Sequence, residues 1–575
     1  MSNFILKTLE TRELKLNTIR LRGFYGGKLR KGSGGGGSGD GFPQLPGDVT
    51  RWHFGGLTNE MMAAMDDPRI EDADHKGRFL SFKNFAWGGM SGVGGYTENY
   101  NSNRWYKVET RIDATWTYKS FNARSIKDNI AAQLFYQSKS SDTGFRVLSC
   151  TIKVSGLTDG QGIEYVSNGT QQFVIMRIEN DGIYHLPSFD FGAKNAYYGF
   201  RFLKLQESCN ITIEQLPLYP GALVFDGVDD RGTCDNFPVL TKEKGYTVVA
   251  LRQWDQDFLN TTLTGGLLST RNYSTGEGVA FEKIESSNKG YWNLGAGGII
   301  DFAKSPFTWQ TSKQYNNVGI LKGDKNHGKP LCVGCGLSGG QQCGRFAIWE
   351  LVFLDHDATE EELTKIKDYF VKTYPWLFPD QAWTVVGKTN EDEDRATIAN
   401  ITGNGNDLVC LNLGFIEGSG YNEEGEYAGY LVTDGVDDKI TSSTFEMGND
   451  WTVIGDWELI NTGKNNNAGI VKFDSIVIYN YNPILINIKN GRNNLIPDQN
   501  TVNAICSDGR IYSKDWKESI YNEETESTSK NLLTIGYSGN SYTKIAFKNL
   551  AIYPTVLSKE DCIKAYNYLQ TLKAK

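Results

Sequence analysis

The feature that most constrains this chain is a phrase it contains twice. Residues 223–230 read LVFDGVDD and residues 431–438 read LVTDGVDD, 208 positions apart with one letter changed. A duplicated site and a duplicated domain both give such a phrase, and the flanking sequence decides between them. YTVVALRQW (246–254) is answered by WTVIGDWEL (451–459), and LCVGCGLSGG (331–340) by LTIGYSGN (533–540). RFAIWELVFLDHDATEEELTKIKDYFV (345–371) is answered by KIAFKNLAIYPTVLSKEDCIKAYNYLQ (544–570). Four blocks in one order mark a repeated domain of about 150 residues.

The rest of the chain reads as strand and turn. Sixty-four Gly against 14 Pro fit many turns between short strands. In VETRIDATW (108–116), Val108, Thr110, Ile112, Ala114 and Trp116 share one face, while Glu109, Arg111 and Asp113 share the other. FVIMRIEN (173–180), CNITIEQL (209–216), DLVCLNLGF (407–415) and PILINIK (483–489) are further strands. Helical spacing closes each repeat. Thr359 and Glu362 form a capping box before the stripe Leu363, Ile366 and Phe370. Ser558 and Asp561 precede Cys562, Ala565 and Leu569, so Cys562 is a core residue.

These signals predict an all-β chain: an N-terminal arm, a β-sandwich and two copies of a repeated sandwich. The expected parts are a basic docking arm (1–31), a Gly-rich linker (32–48) and a β-sandwich (49–218). A first repeat sandwich (219–378), a connector containing a strand (379–427) and a second repeat sandwich (428–575) follow. The chain carries −9 overall, yet residues 1–31 carry +6, which leaves −15 for the rest. A basic arm on an acidic body points to docking of the arm on another protein, and the acidic body excludes nucleic acid as a main partner. Leu14, Leu16, Ile19 and Leu21 alternate with polar residues, the pattern of a strand that adds to a partner's sheet. Neither a secretory signal nor a membrane-spanning run is read from the sequence.

The four-block order resembles the concanavalin A-like, laminin G-like sandwich family, with an opening FDG-x-DD turn and a closing strand followed by [ST]-x-E-E, which implies that both repeats are jelly-roll sandwiches. Thr433, where the family usually has Phe, and IYPTVLSKED in the second copy are local departures. Such modules behind a basic arm and glycine linker resemble virion proteins of tailed phages that infect Bacteroidales, including crAss-like phages. The resemblance implies a fibre or decoration protein, made in the host cytoplasm and resident in the virion. Its implied partners are other virion proteins, bound through residues 1–31, and a host cell-surface glycan. It is also expected to form a homo-oligomer.

Two clusters invite chemistry. Asp226, Asp229 and Asp230, repeated as Asp434, Asp437 and Asp438, present three carboxylates within five residues, a candidate Ca²⁺ set. The competing reading is an Asp-Gly turn whose flanking acids face solvent. His327, Cys332, Cys335 and Cys343 contain one Cys-x₂-Cys step, a zinc-ligand spacing. Thr534 and Tyr537 stand at the positions of Cys332 and Cys335 in the second copy, so the fold does not require these thiols. Nine Cys without paired spacing argue against a disulfide framework. No E-x-D-x-x-E strand, P-loop or His-Glu-x-x-His occurs. The expectation is therefore a non-enzymatic protein with no catalytic, cofactor or metal residues, whose ligand-binding residues the sequence does not single out. Most Trp, including Trp116, Trp254 and Trp451, are expected in cores.

Overall fold

The computed structural model describes residues 41–574 except 108–111, 126–129, 138–145, 168–173, 188, 191–196, 208, 239–244, 260, 271–279, 284–288, 293–298, 302–306, 312–329, 338–340, 424–426, 461–468, 474–475, 480–483, 489–491, 497–501, 521–530 and 539–540. The arm, most of the linker and His327 lie outside the described residues.

The chain is all-β, built of three two-sheet sandwiches. The first repeat sandwich is assembled from two separated stretches. One of its sheets runs Phe307–Thr311, Thr247–Trp254, Arg345–Leu354, Leu223–Asp226 and Gly92–Val93, with Val49–His53 also paired to Arg345–Leu354. Val49 to His53 register against Leu354 to Glu350. The facing sheet begins with Arg69–Glu71, Phe79–Lys83 and Arg231–Cys234. Leu80, Phe225, Trp254 and Ile348 meet in the core between the two sheets.

This corrects the domain expected at 49–218. Its first part belongs to the first repeat sandwich, and only about residues 97–217 form the separate one. That inserted sandwich pairs Gly182–Leu186, Cys150–Ser155, Asn210–Gln215, Ser120–Ser125 and Ile112–Trp116 in one sheet. The other sheet holds Val174–Ile178, Gly162–Ser167, Tyr197–Leu205, Ile130–Gln137 and Trp105–Lys107. The chain enters and leaves through neighbouring segments. Leu218 N donates to Gly95 O at 3.0 Å, and Tyr219 N to Gly94 O at 2.8 Å. A closed entry point lets one sandwich sit inside another without disturbing its sheets.

The connector expected at 379–427 is likewise part of a sandwich. Gln381–Thr384 pairs with Ile545–Tyr553, and Leu408–Leu411 pairs with Lys439–Phe445. Thr397–Ile398 and Gly420–Asn422 also join the sheets of the second repeat. Each repeat therefore starts well before its DGVDD phrase. Trp52 opposes Leu351 as Trp383 opposes Leu550. Both long closing strands carry a bulge at one place, between Leu251 and Arg252 of the first neighbour strand and between Asp456 and Trp457 of the second.

The closing helices form as the caps and stripes predict. Thr359 and Glu362 make the full capping box of Glu360–Thr373, and Ser558 Oγ accepts from Asp561 N at the start of Lys559–Leu569. Ile366, Phe370, Cys562 and Ala565 are fully buried, and Leu363 is partly buried beside them. Each fully buried Ile or Phe contributes roughly 1.5–3 kcal/mol. The two helices do not cover separate sheets. Val249, Trp349 and Val352 of the first repeat share one apolar cluster with both helices and with Ile454, Ala551 and Tyr553 of the second. Tyr568 OH bonds Gln253 Oε1 across this layer at 3.2 Å, and Tyr553 OH bonds Trp376 O at 3.0 Å. No helix among the described residues is long and apolar enough to cross a membrane.

Candidate functional site

The DGVDD phrases form tight turns, with Gly227 at φ 79° and Gly435 at φ 78°, the left-handed region that glycine favours. Asp226 Oδ1 accepts from Val228 N at 2.8 Å, and Asp434 Oδ1 from Val436 N at 2.7 Å. The last acid of each phrase does not face solvent. Asp230 and Asp438 are fully buried, which corrects the expectation of exposed flanking acids. Asp230 accepts from Asp226 N at 3.0 Å and from Ser91 Oγ at 2.9 Å. Asp438 accepts from Asp434 N at 2.8 Å and from Ser419 Oγ at 2.7 Å. Burial pushes the Asp230 carboxyl up to about 7 and also raises that of Asp438.

The serines belong to a second repeated phrase. NFAWGGMSG (84–92) and NLGFIEGSG (412–420) share Asn, an aromatic residue three positions on, and Ser-Gly four beyond that. Asn84 Nδ2 donates to Asp229 O at 3.1 Å and Asn412 Nδ2 to Asp437 O at 3.0 Å. A third pair completes the device. Asn59 exchanges two hydrogen bonds with the backbone of Val93, and Asn390 does so with Tyr421. A Cβ on Gly92 would meet Asn59 Oδ1 at 2.3 Å, and one on Gly420 would meet Asn390 Oδ1 at 2.5 Å.

In each copy the three acids bring one carboxylate oxygen apiece within 4.8 Å of one another. A Ca²⁺ site takes six to eight oxygens. Here the buried carboxylate is engaged by a backbone amide and a serine, and the first acid by its own turn. The arrangement is a clamp that fastens the turn to the preceding loop.

Cys332, Cys335 and Cys343 form a small buried cluster of their own. Cys335 and Cys343 face each other across a hairpin and are disulfide-bonded, which corrects the expectation of no disulfide. Burial pushes the Cys332 thiol up to about 11. Trp254 and Trp451 are core residues, and Trp116 packs at the edge of the inserted core.

A cluster of charged and aromatic residues lies on the outward sheet face of the inserted sandwich, with Arg177 its exposed member. In Gly162–Ser167, Ile163 and Tyr165 enter the core, which turns Glu164 to the opposite face. Arg177 and Arg201 stand directly opposite Glu164 on the two neighbouring strands. Arg177 Nε donates to Glu164 Oε1 at 2.8 Å and Arg201 Nε to Glu164 Oε2 at 2.6 Å. Arg177 is two-thirds exposed, whereas Glu164 is buried beneath the guanidinium groups. The adjacent row holds Gly199 against Phe135, and Phe135 against Tyr106. Tyr197 stacks on Phe135 with ring centroids 4.4 Å apart. A side chain at Gly199 would collide with Leu134 O. Guanidinium donors, a carboxylate and planar rings on one face suit a ligand with hydroxyls and an apolar ring face. Strand alternation marks these residues, but it does not tell an open outer face from a covered one.

The fold and these surfaces define an all-β protein of several fused sandwiches. No family model matches the chain, and no curated protein matches it. It is similar to the solved botulinum neurotoxin serotype D binding domain at 10% identity, covering 57% of this chain and 87% of that one, with a TM-score of 0.23. It is also similar to a Trypanosoma rangeli sialidase in complex with sialic acid at 8% identity, covering 80% and 83%, with a TM-score of 0.24. For the serotype D ligand binding domain in complex with N-acetylneuraminic acid, the values are 9%, 57%, 87% and 0.22. Likenesses at this level carry no argument about function.

Proposed function

We propose that this chain is a non-enzymatic attachment protein whose β-sandwiches bind cell-surface glycan. What supports this reading is the outer face of the inserted sandwich, where Arg177 and Arg201 over the buried Glu164 lie beside Tyr106 and Tyr197, the latter stacked on the buried Phe135. Arginine forks hold sugar hydroxyls, and aromatic faces cover the ring. The resemblance of the repeats and the basic arm to phage virion proteins extends the reading to a tailed-phage fibre or decoration, anchored by residues 1–31.

The test is a glycan array probed with the multimerised full chain and with an Arg177→Ala/Tyr197→Ala variant. Binding that falls at least tenfold in the variant is the expected result. Equal binding by both proteins would move the site elsewhere, and no binding by either would leave a purely structural virion component. Release of reducing sugar from host capsule would instead identify a depolymerase. A fusion of residues 1–48 to a fluorescent protein is expected to join virions, and its absence from purified particles would remove the anchoring role.

A further inference from the structure

The inserted sandwich touches more than its host. Its edge strand Gly182–Leu186 lies against the second repeat sandwich. Ile183 packs on the shared helical core, and a Cβ on Gly182 would sit 3.2 Å from the Asp515 side chain. His185 presents its ring edge-on to Tyr566 of the closing helix, with centroids 6.4 Å apart. Its Nδ1 lies 3.2 Å from Thr151 Oγ1 of the neighbouring strand. Its Nε2 is enclosed and has no hydrogen-bond partner.

The charged groups around this ring come mainly from the second sandwich. They are Lys548 on the closing strand, Asp456 on the strand beside it, and Lys514. Asp456 is already engaged: it accepts from Tyr430 OH and Gln570 Nε2, both at 3.0 Å, and lies 3.7 Å from Lys548 Nζ. Lys514 pairs with Glu458 at 3.2 Å. Asp515 and the inserted sandwich's own Asp181 lie by Tyr184, one residue along the strand. A proton on Nε2 would find no acceptor and two lysines nearby.

We propose that acidification releases the inserted sandwich from the second repeat sandwich through protonation of His185. The inserted sandwich would stay tied to the first repeat by the paired segments at Gly94–Gly95 and Leu218–Tyr219 and would swing about that entry point. Burial, then Lys548, holds the docked imidazole down at about 3, against an ordinary 6.5. The sign follows from linkage. The neutral docked ring binds fewer protons than the freed one, so docking is fully present above about pH 6.5 and weakens as pH falls toward 3. The weakening approaches tenfold in the docking equilibrium per pH unit. On release the glycan-facing sheet would change its orientation relative to both repeats. This inference does not depend on what that sheet binds.

Hydrogen exchange of the intact chain at pH 7.5 and pH 5.0, corrected for intrinsic rates, reads the equilibrium at Gly182–Leu186 and Lys559–Leu569. The wild type is expected to open roughly 30-fold more at pH 5.0. His185→Phe and His185→Gln, each checked for folding by circular dichroism, are expected to show no such rise. Unchanged wild-type protection between the two pH values would overturn the proposal. An equal rise in both variants would also overturn it, because the proton would then act elsewhere.

Discussion

The two repeats solve one structural problem in different ways. At the hairpin before the closing strand, the first repeat joins Cys335 and Cys343 covalently. The second places Tyr537 opposite Tyr542 at the corresponding pair, with ring centroids 4.8 Å apart. The fold needs that cross-strand position filled and tolerates either chemistry. The clamp around the acidic turn is kept in both copies, residue for residue: Asn59 with Asn390, Asn84 with Asn412, Ser91 with Ser419, Asp230 with Asp438. A cross-strand pair acts only on its own two strands. The clamp ties a turn, a loop and a helix start or its equivalent, and each of its buried polar groups needs all the others.

The comparison breaks most readily at the clamp. Asp230→Ala and Asp438→Ala each strand a buried serine hydroxyl and a backbone amide, at an expected cost of about 2–4 kcal/mol apiece. Denaturant melts should show the same loss for both substitutions; a loss in one copy only would mean that the second clamp is decorative. The hairpin gives a smaller effect. Cys335→Ser/Cys343→Ser opens a short covalent loop and should cost ~2.5 kcal/mol. Tyr537→Ala/Tyr542→Ala should cost about 0.5–1.5 kcal/mol. If Cys335→Tyr/Cys343→Tyr recovers none of the first loss, the two hairpins are not interchangeable. The third test is in pH dependence. Asp230 holds its proton to about pH 7 in the fold but only to about 3.8 when unfolded. The folded state therefore binds the extra proton between these values, and this carboxyl makes stability fall as pH rises from about 4 to 7. The wild-type curve minus that of Asp230→Asn should slope downward through this window, and a flat difference would show that burial does not hold the proton.

Local features of this molecule were legible, and distant pairings were not. Duplication, strand alternation and both helix caps lie within a few residues of one another, so periodicity reports them. Val49 finds its partner at Leu354, and no signal in a continuous sequence marks that pairing. For this reason the sequence places the bounds of the inserted sandwich and of the 379–427 segment wrongly. The clamp was readable in principle, since Asn84 to Gly92 repeats as Asn412 to Gly420, but its spacing departs from that of the DGVDD pair by the length of the insertion. The disulfide was hidden by an odd cysteine count, because a hairpin pair eight residues apart needs no framework. On the outer sheet face, the residue types of Glu164, Arg177 and Arg201 are unremarkable until register sets them side by side.

The way the inserted sandwich joins its host has a practical consequence for protein engineering. Its two connecting segments leave the first repeat bonded to each other, so the ends of the graft meet at one point. The second repeat shows that point already closed, with Gly429 N bonded to Asn422 O at 2.7 Å across a short loop. Transplanting the segment from Asn422 to Tyr430 between Val93 and Leu223 should therefore yield a shorter chain with both repeats intact. The excised piece, with its ends adjacent, could be offered to other scaffolds as a self-contained cassette.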